Sequence, residues 1–241
     1  MMLRLAALLA LLAAPAHAGC GPDPAPCAIP EGSYHVALPE GAASLVPAVM
    51  FLHGYGASGA AMMGMGGIAD TITARGYAFI APDGLSRPGR GAGWSFRPGD
   101  AALRDEPAFF AAVKADAARR FGLNPDAMIL SGFSIGGSMT HYAACKHPDA
   151  FAAYAPVAGA FWRPHPEACT TSPMRLFHTH GWTDSTVPLE GRPLRGGAIR
   201  QGDTFASLDI WRAAMGCTYG AADQFETTGP FLRRRWTRCA E

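Results

Sequence analysis

Net charge is nearly absent from this chain: 20 lysines and arginines stand against 19 aspartates and glutamates in 241 residues. Without an excess of one sign there is no long-range field to draw the protein to nucleic acid or anionic lipid, so neither nucleic acid nor membrane is expected as a partner. Long apolar runs are missing too. The run from Leu5 to Ala14 is about half of the ~20 residues a bilayer-spanning helix needs. Arg4 precedes it and Ala16-His17-Ala18 follows as a small-x-small cleavage site, the layout of an export signal. On that reading residues 1–18 are a signal peptide, and residues 19–241 form one secreted or periplasmic domain, undivided by any polar linker or repeat. Loss of Arg4 leaves 19 basic residues against 19 acidic ones. A lipid-attachment reading of Gly19-Cys20 is disfavoured by His17, which stands where such signals carry an aliphatic residue.

Zinc-type cysteine spacing is another absence. The six cysteines all follow the predicted cleavage site, and an even count in an exported chain favours disulfides over metal. Fifteen pairings are possible for six cysteines. Proximity in sequence favours Cys20 with Cys27, Cys145 with Cys169 and Cys217 with Cys239, each worth roughly 2 to 3 kcal/mol by loop-closure entropy.

What is present is an alternation of strands and helices. Tyr34, Val36 and Leu38 alternate as a strand, and Ala48 to Leu52 is a continuously apolar strand of the kind buried on both faces. A helical stretch from about Gly59 to Ala74 follows, then a strand at Tyr77 to Ala81. A Gly/Pro/Arg-rich loop runs from Asp83 to about Asp100, long enough to suspect a function. A helix from about Pro107 to Phe121 carries Phe110, Val113, Ala117 and Phe121 on one face, with Asp105 as its cap. Further strands are expected at Met128 to Leu130, Phe151 to Val157 and Arg175 to Thr179, with helices over Ser138 to His147 and Thr204 to Met215. This order implies an α/β fold with a mostly parallel sheet covered on both faces. In such sheets functional groups gather beyond the carboxyl ends of the strands.

The densest signal is Gly132-Phe133-Ser134-Ile135-Gly136-Gly137, between a predicted strand and a predicted helix. A serine flanked two residues either way by glycine suits a strand-to-helix turn so tight that flanking side chains would strike backbone. Such a turn lifts the Ser134 hydroxyl into the open at a helix N-terminus. There the Ile135 amide and the helix dipole face any negative charge formed by attack on an ester carbonyl.

With this elbow, His53-Gly54-Tyr55-Gly56 after a buried strand resembles the oxyanion loop of the α/β-hydrolases, and Gly181-Trp182-Thr183-Asp184 resembles their acid loop. Ala81-Pro82-Asp83-Gly84, Ala144 to Ala153, Ala155-Pro156-Val157-Ala158-Gly159 and His180-Gly181-x-x-Asp184 narrow the likeness. Together they resemble secreted esterases of the polyhydroxybutyrate depolymerase and feruloyl esterase type. The resemblance implies a serine esterase working through an acyl-enzyme without cofactor or metal, a monomer acting on a small-molecule or polymeric ester. Ser134 would be the nucleophile, Asp184 the acid that orients an imidazole, and the Tyr55 and Ile135 amides the oxyanion donors. His53 reads as a residue that pins the loop by hydrogen bonding. Trp94, Trp162 and Trp182 each follow a strand's carboxyl end and are expected to line an apolar cleft.

One departure matters. The family's chain order is serine, acid, histidine, yet no histidine follows His180. His178 and His180 read as strand end and turn, and His141, His147 and His165 have no motif behind them. The resemblance implies that the chain stops where the last strand and histidine loop would begin, giving a C-terminally incomplete, weakly active domain. Two other classes stay open. A hydrolase-fold binding protein without catalysis would explain the missing base. A dinucleotide-binding oxidoreductase would explain Gly54-x-Gly56-x-x-Gly59 with Asp83 about 24 residues on.

Overall fold

A computed structural model describes residues 19–87, 91–97, 103–218 and 220–240. The predicted signal peptide lies outside the described residues. The strands are β1 (Cys27–Ile29), β2 (Gly32–Ala37), β3 (Val46–Leu52), β4 (Ala78–Pro82), β5 (Leu85–Arg87), β6 (Gly91–Gly93), β7 (Leu123–Phe133), β8 (Ala153–Val157), β9 (Trp162–Arg163), β10 (Pro193–Leu194), β11 (Ile199–Gln201), β12 (Gln224–Thr228) and β13 (Phe231–Arg235). The α-helices are α1 (Gly59–Gly64), α2 (Ile68–Thr73), α3 (Glu106–Phe121), α4 (Ile135–Lys146) and α5 (Thr204–Ala214).

Six strands form the central sheet in the order β1-β2-β4-β3-β7-β8. β3 runs parallel to β4 and β7, β7 runs parallel to β8, and β1 and β2 close one side antiparallel. The apolar runs explain the centre: every residue of β4 is buried, and Ala48, Met50 and Leu52 of β3 are wholly so. The strand expected over Arg175 to Thr179 lies on the free side of β8 as a single backbone run. Phe177 N donates to Tyr154 O at 2.9 Å and Thr179 N to Pro156 O at 3.1 Å, enough for two parallel bridges.

α3 begins where Asp105 accepts from Ala108 N, and ends at Gly122, whose φ of 65° a side chain would disfavour. Its Phe109, Phe110, Val113 and Ala117 enter the core. The single helix expected from about Gly59 to Ala74 is two short ones, because Gly66 and Gly67 take φ of 57° and 68° and break the run. α4 starts three residues earlier than expected, directly at the elbow, and ten of its twelve residues are buried. Its alanines, glycines and serine let it lie against β7 and β8.

All three expected disulfides are present: Cys20–Cys27, Cys145–Cys169 and Cys217–Cys239. They tie the first described residues to β1, the end of α4 to the 164–170 loop, and the end of α5 to the chain beyond β13.

Register places the chemistry on one edge. Leu52 pairs with Gly132 and Phe133 with Val157. The loops after β3, β7 and β8 therefore leave the sheet at the same level.

Candidate functional site

Ser134 is the turn between β7 and α4, with φ 57° and ψ −118°, a conformation non-glycine residues avoid. The surroundings force it. Ser134 N donates to Val157 O at 3.0 Å, and Ser138 N donates to Ser134 O at 2.9 Å. A Cβ on Gly136 would stand 2.1 Å from Leu52 O, and one on Gly132 would stand 2.5 Å from Gly136 O. Both obstacles are backbone, so only glycine fits. The Ser134 side chain makes no capping bond, which leaves its hydroxyl and the first amides of α4 open to a ligand.

The Gly54 loop lies against this serine: a Cβ on Gly54 would be 3.7 Å from Ser134 Cβ. Its anchor is His53, fully buried. Gly84 N donates to His53 Nε2 at 2.9 Å, which makes that nitrogen an acceptor and puts the proton on Nδ1, 2.7 Å from Gly54 O. The backbone after it is held by Gly56 N donating to Ala92 O at 2.9 Å, from the small β5–β6 hairpin. Tyr55 projects outward, 59 % exposed, so its amide rather than its ring belongs to the loop. Ile135 opens α4 beside Gly93, whose Cβ would come 3.1 Å from Ile135 Cδ1.

Asp184 follows the 175–179 edge segment. Its Oδ1 accepts from Thr186 N at 2.9 Å and Val187 N at 2.8 Å, and its Oδ2 stands 3.7 Å from His180 Nε2. His180 Nε2 contacts Val187 O at 2.6 Å, its Nδ1 contacts His178 Nε2 at 3.3 Å, and His178 Nδ1 contacts His141 Nε2 at 3.2 Å. These histidines are thereby engaged. His35 lies at Asp83, 3.4 Å away, and His147 follows the far end of α4. His165 packs beside Gly202, whose Cβ would meet it. Among the described residues no histidine nitrogen bonds the Ser134 hydroxyl.

The three tryptophans fall in two different settings. Trp94 is 3 % exposed: its indole N–H donates to His53 O at 2.9 Å and its ring meets Phe110 edge-on at 5.7 Å. Trp162 is also buried, donating to Ser138 Oγ at 3.1 Å and standing edge-on to Phe96 at 5.6 Å. Each ring has an N–H to satisfy, and the partner lies beneath the loop, which draws both into the core rather than onto an open wall. Trp182 is 61 % exposed, with the Arg234 guanidinium 5.9 Å from its ring. A cavity of about 660 Å³ runs along the flank of α4, lined by Phe96, Met139, Tyr142, Pro164 and His165 among others.

The glycine pattern after β3 has a different outcome from nucleotide binding. Asp83, where a ribose ligand would be needed, accepts from Gly59 N at 2.8 Å and from Ser33 Oγ at 2.8 Å, one bond to each oxygen. It ties α1 to the sheet. Of the Asp83 to Asp100 loop, residues 88–90 and 98–100 lie outside the described residues.

Burial holds the imidazoles of His53, His141 and His178 neutral, and pushes His178 down to about 3. The unfolded chain takes up these protons below the ordinary value of about 6.5 while the folded chain resists them. Their contribution to stability is thus complete above about 6.5 and lost as pH falls toward the folded values. Each such histidine should cost about 1.4 kcal/mol per pH unit within that window. Urea unfolding at pH 7, 6 and 5 measures this; a midpoint that stays constant would contradict the burial.

Comparison with known proteins agrees with the architecture. The profile of a family described as "alpha/beta hydrolase fold" matches residues 47–197. A protein named as an esterase, NocK, from Nocardia uniformis subsp. tsuyamanensis is 33% identical over 159 residues, 64% of this chain and 44% of that one. Poly(3-hydroxyalkanoate) depolymerase C from Paucimonas lemoignei is 28% identical over 198 residues, 80% of this chain and 46% of that one. The chain spans about half the length of the curated relatives it matches. Among solved structures, acetyl xylan esterase from Aspergillus awamori superposes with a TM-score of 0.64 at 17% identity, covering 85% of this chain and 83% of that one.

Proposed function

Because the chain belongs to the α/β-hydrolase fold family, we propose that it is a serine hydrolase of carboxylic esters. The observation that carries this is the strained Ser134, at φ 57°, lying against the Gly54 loop with its hydroxyl unbound. Ser134 Oγ attacks the ester carbonyl and its proton passes to a base. The carbonyl oxygen becomes an oxyanion that accepts from the Tyr55 and Ile135 amides, and the alcohol leaves with a proton. Water then releases the acid from the acyl-enzyme. Asp184 Oδ1 is fixed by two amides and Oδ2 stands 3.7 Å from His180 Nε2, which sets the direction of the carboxylate that we assign to orienting an imidazole. The base is the one triad member without a counterpart among the described residues. That observation also favours a second reading, a hydrolase-fold protein that binds esters without turning them over.

The substrate class we propose is hydroxyalkanoate oligomers or feruloyl-type esters, from the sequence resemblance and the depolymerase relative. Trp182 is the tryptophan exposed to such a substrate, and Trp94 and Trp162 support the loops from beneath. Export to an oxidising compartment accords with six cysteines paired in three disulfides.

The test is hydrolysis of p-nitrophenyl butyrate, methyl ferulate and a hydroxybutyrate oligomer by the protein and by Trp182→Ala. Trp182→Ala is expected to raise KM about three- to tenfold for at least one of these, the scale of a stacking contact, with an unchanged melting temperature. Trp94→Ala, in the core, is expected instead to cost about 3 to 5 kcal/mol of stability. Failure to bind or hydrolyse any of the three would remove the ester class.

A further inference from the structure

Trp211 on α5 is fully buried, and its indole nitrogen donates to His141 Nδ1 at 2.8 Å. An indole N–H can only donate, so His141 Nδ1 must accept, and its proton sits on Nε2. That proton faces His178 Nδ1 at 3.2 Å; His178 therefore carries its proton on Nε2 and donates to His180 Nδ1 at 3.3 Å. His180 in turn donates from Nε2 to Val187 O at 2.6 Å. The far end gives the same answer independently, since a carbonyl can only accept. Four donors point one way, from α5 through α4 and the edge segment into the turn that carries Asp184.

We propose that His141, His178 and His180 are positioning residues, a one-way hydrogen-bonded chain that fixes the 180–187 turn and with it the direction of the Asp184 carboxylate. The charged group facing the chain is Asp184 itself, at its exposed end; α5 presents Trp211 and the loop after β8 presents Phe161, stacked on Trp211 and tilted on His141. No alternative arrangement of protons satisfies both ends while all three rings stay neutral. The turn is consequently held in one register, and His180 is occupied as a donor rather than available as a base. An apolar core at these positions would let the turn slide, because Val187 O would lose the donor that His180 gives it.

That Asp184 is the acid rests on the function proposed above, so the chain is tested without hydrolysis. Long-range ¹H–¹⁵N spectra of histidine-labelled protein at pH 7.5 are expected to show Nε2–H tautomers at His141, His178 and His180, and the Nδ1–H tautomer at His53. A different tautomer at any of the first three overturns the chain. His178→Gln keeps one acceptor and one donor, whereas His178→Phe keeps only volume. Amide exchange at Thr186 and Val187, the two donors to Asp184, is expected to quicken about tenfold in the phenylalanine variant, the scale of a lost hydrogen bond, and to stay within about threefold in the glutamine variant. Equal exchange in the two variants overturns positioning. Should neither variant fold, Trp211→Phe deletes only the first donor; the Val187 carbonyl still orders the rings from the far end, so Nε2–H tautomers are expected to persist at His141, His178 and His180, and an Nδ1–H tautomer at any of them overturns the proposal. An inactive protein with the expected spectra would refute the esterase reading and leave the chain standing.

Discussion

Ser134→Gly is expected to lower kcat for ester hydrolysis by about 10⁴ to 10⁶ once a base is in place, and at the same time to stabilise the fold by about 1 kcal/mol. The two effects have one origin. Ser134 is held at φ 57° and ψ −118° by the Val157 carbonyl and the start of α4, a conformation that costs a side-chain-bearing residue about 1 to 3 kcal/mol. Glycine relieves most of that strain and gives some back as greater freedom in the unfolded chain. Ser134→Ala separates the terms: it keeps the strain and loses the hydroxyl, so it should be as inactive as the glycine variant and as stable as the parent. Thermal melts of the three proteins beside their rates on p-nitrophenyl butyrate measure both. A glycine variant less stable than the parent would mean that the elbow is not strained.

Gly136→Ala should be the most damaging methyl group that can be added near the site. The new carbon would stand 2.1 Å from Leu52 O, 2.7 Å from Leu52 C and 2.7 Å from His53 O. These are backbone atoms of the central strand β3 and of the Gly54 loop, neither of which has a flexible end to move aside. Overpacking in a core costs about 1 to 3 kcal/mol where side chains can shift, and more where they cannot. The variant is expected to lose at least about 3 kcal/mol and to separate Gly54 from Ser134. Gly64→Ala is the control, since a Cβ there meets nothing within 4 Å. Equal expression and urea midpoints for the two variants would contradict the packing.

The elbow was legible in the sequence because its glycines answer to collisions that any such turn imposes. The same holds for the Asp105 cap, for the buried strands β3 and β4, and for disulfides whose partners are near in sequence. Cysteine pairing by proximity succeeded because each loop it closes is a local excursion from an element end. Other features depend on partners far apart in the chain. His141, His178 and His180 carry no motif; Trp211, which sets their tautomers, is 70 residues from His141, and only the folded sheet brings them together. The buried settings of Trp94 and Trp162 likewise depend on acceptors, His53 O and Ser138 Oγ, that strand-end positions do not reveal. The split of the first helix was signalled by Gly64, Gly66 and Gly67, a density of glycine that an amphipathic pattern conceals.

The claim on which the rest depends is that Ser134 is a nucleophile set in an oxyanion pocket. Incubation with an alkyl fluorophosphonate, with imidazole supplied in solution as the base, followed by peptide mass mapping, addresses it directly. The account predicts one phosphonyl adduct, on the peptide containing Ser134, absent from Ser134→Ala and weakened when the Gly54 loop is loosened by His53→Ala. An adduct on another residue, or an unmodified Ser134 after labelling has run to completion on a serine esterase standard, would contradict it.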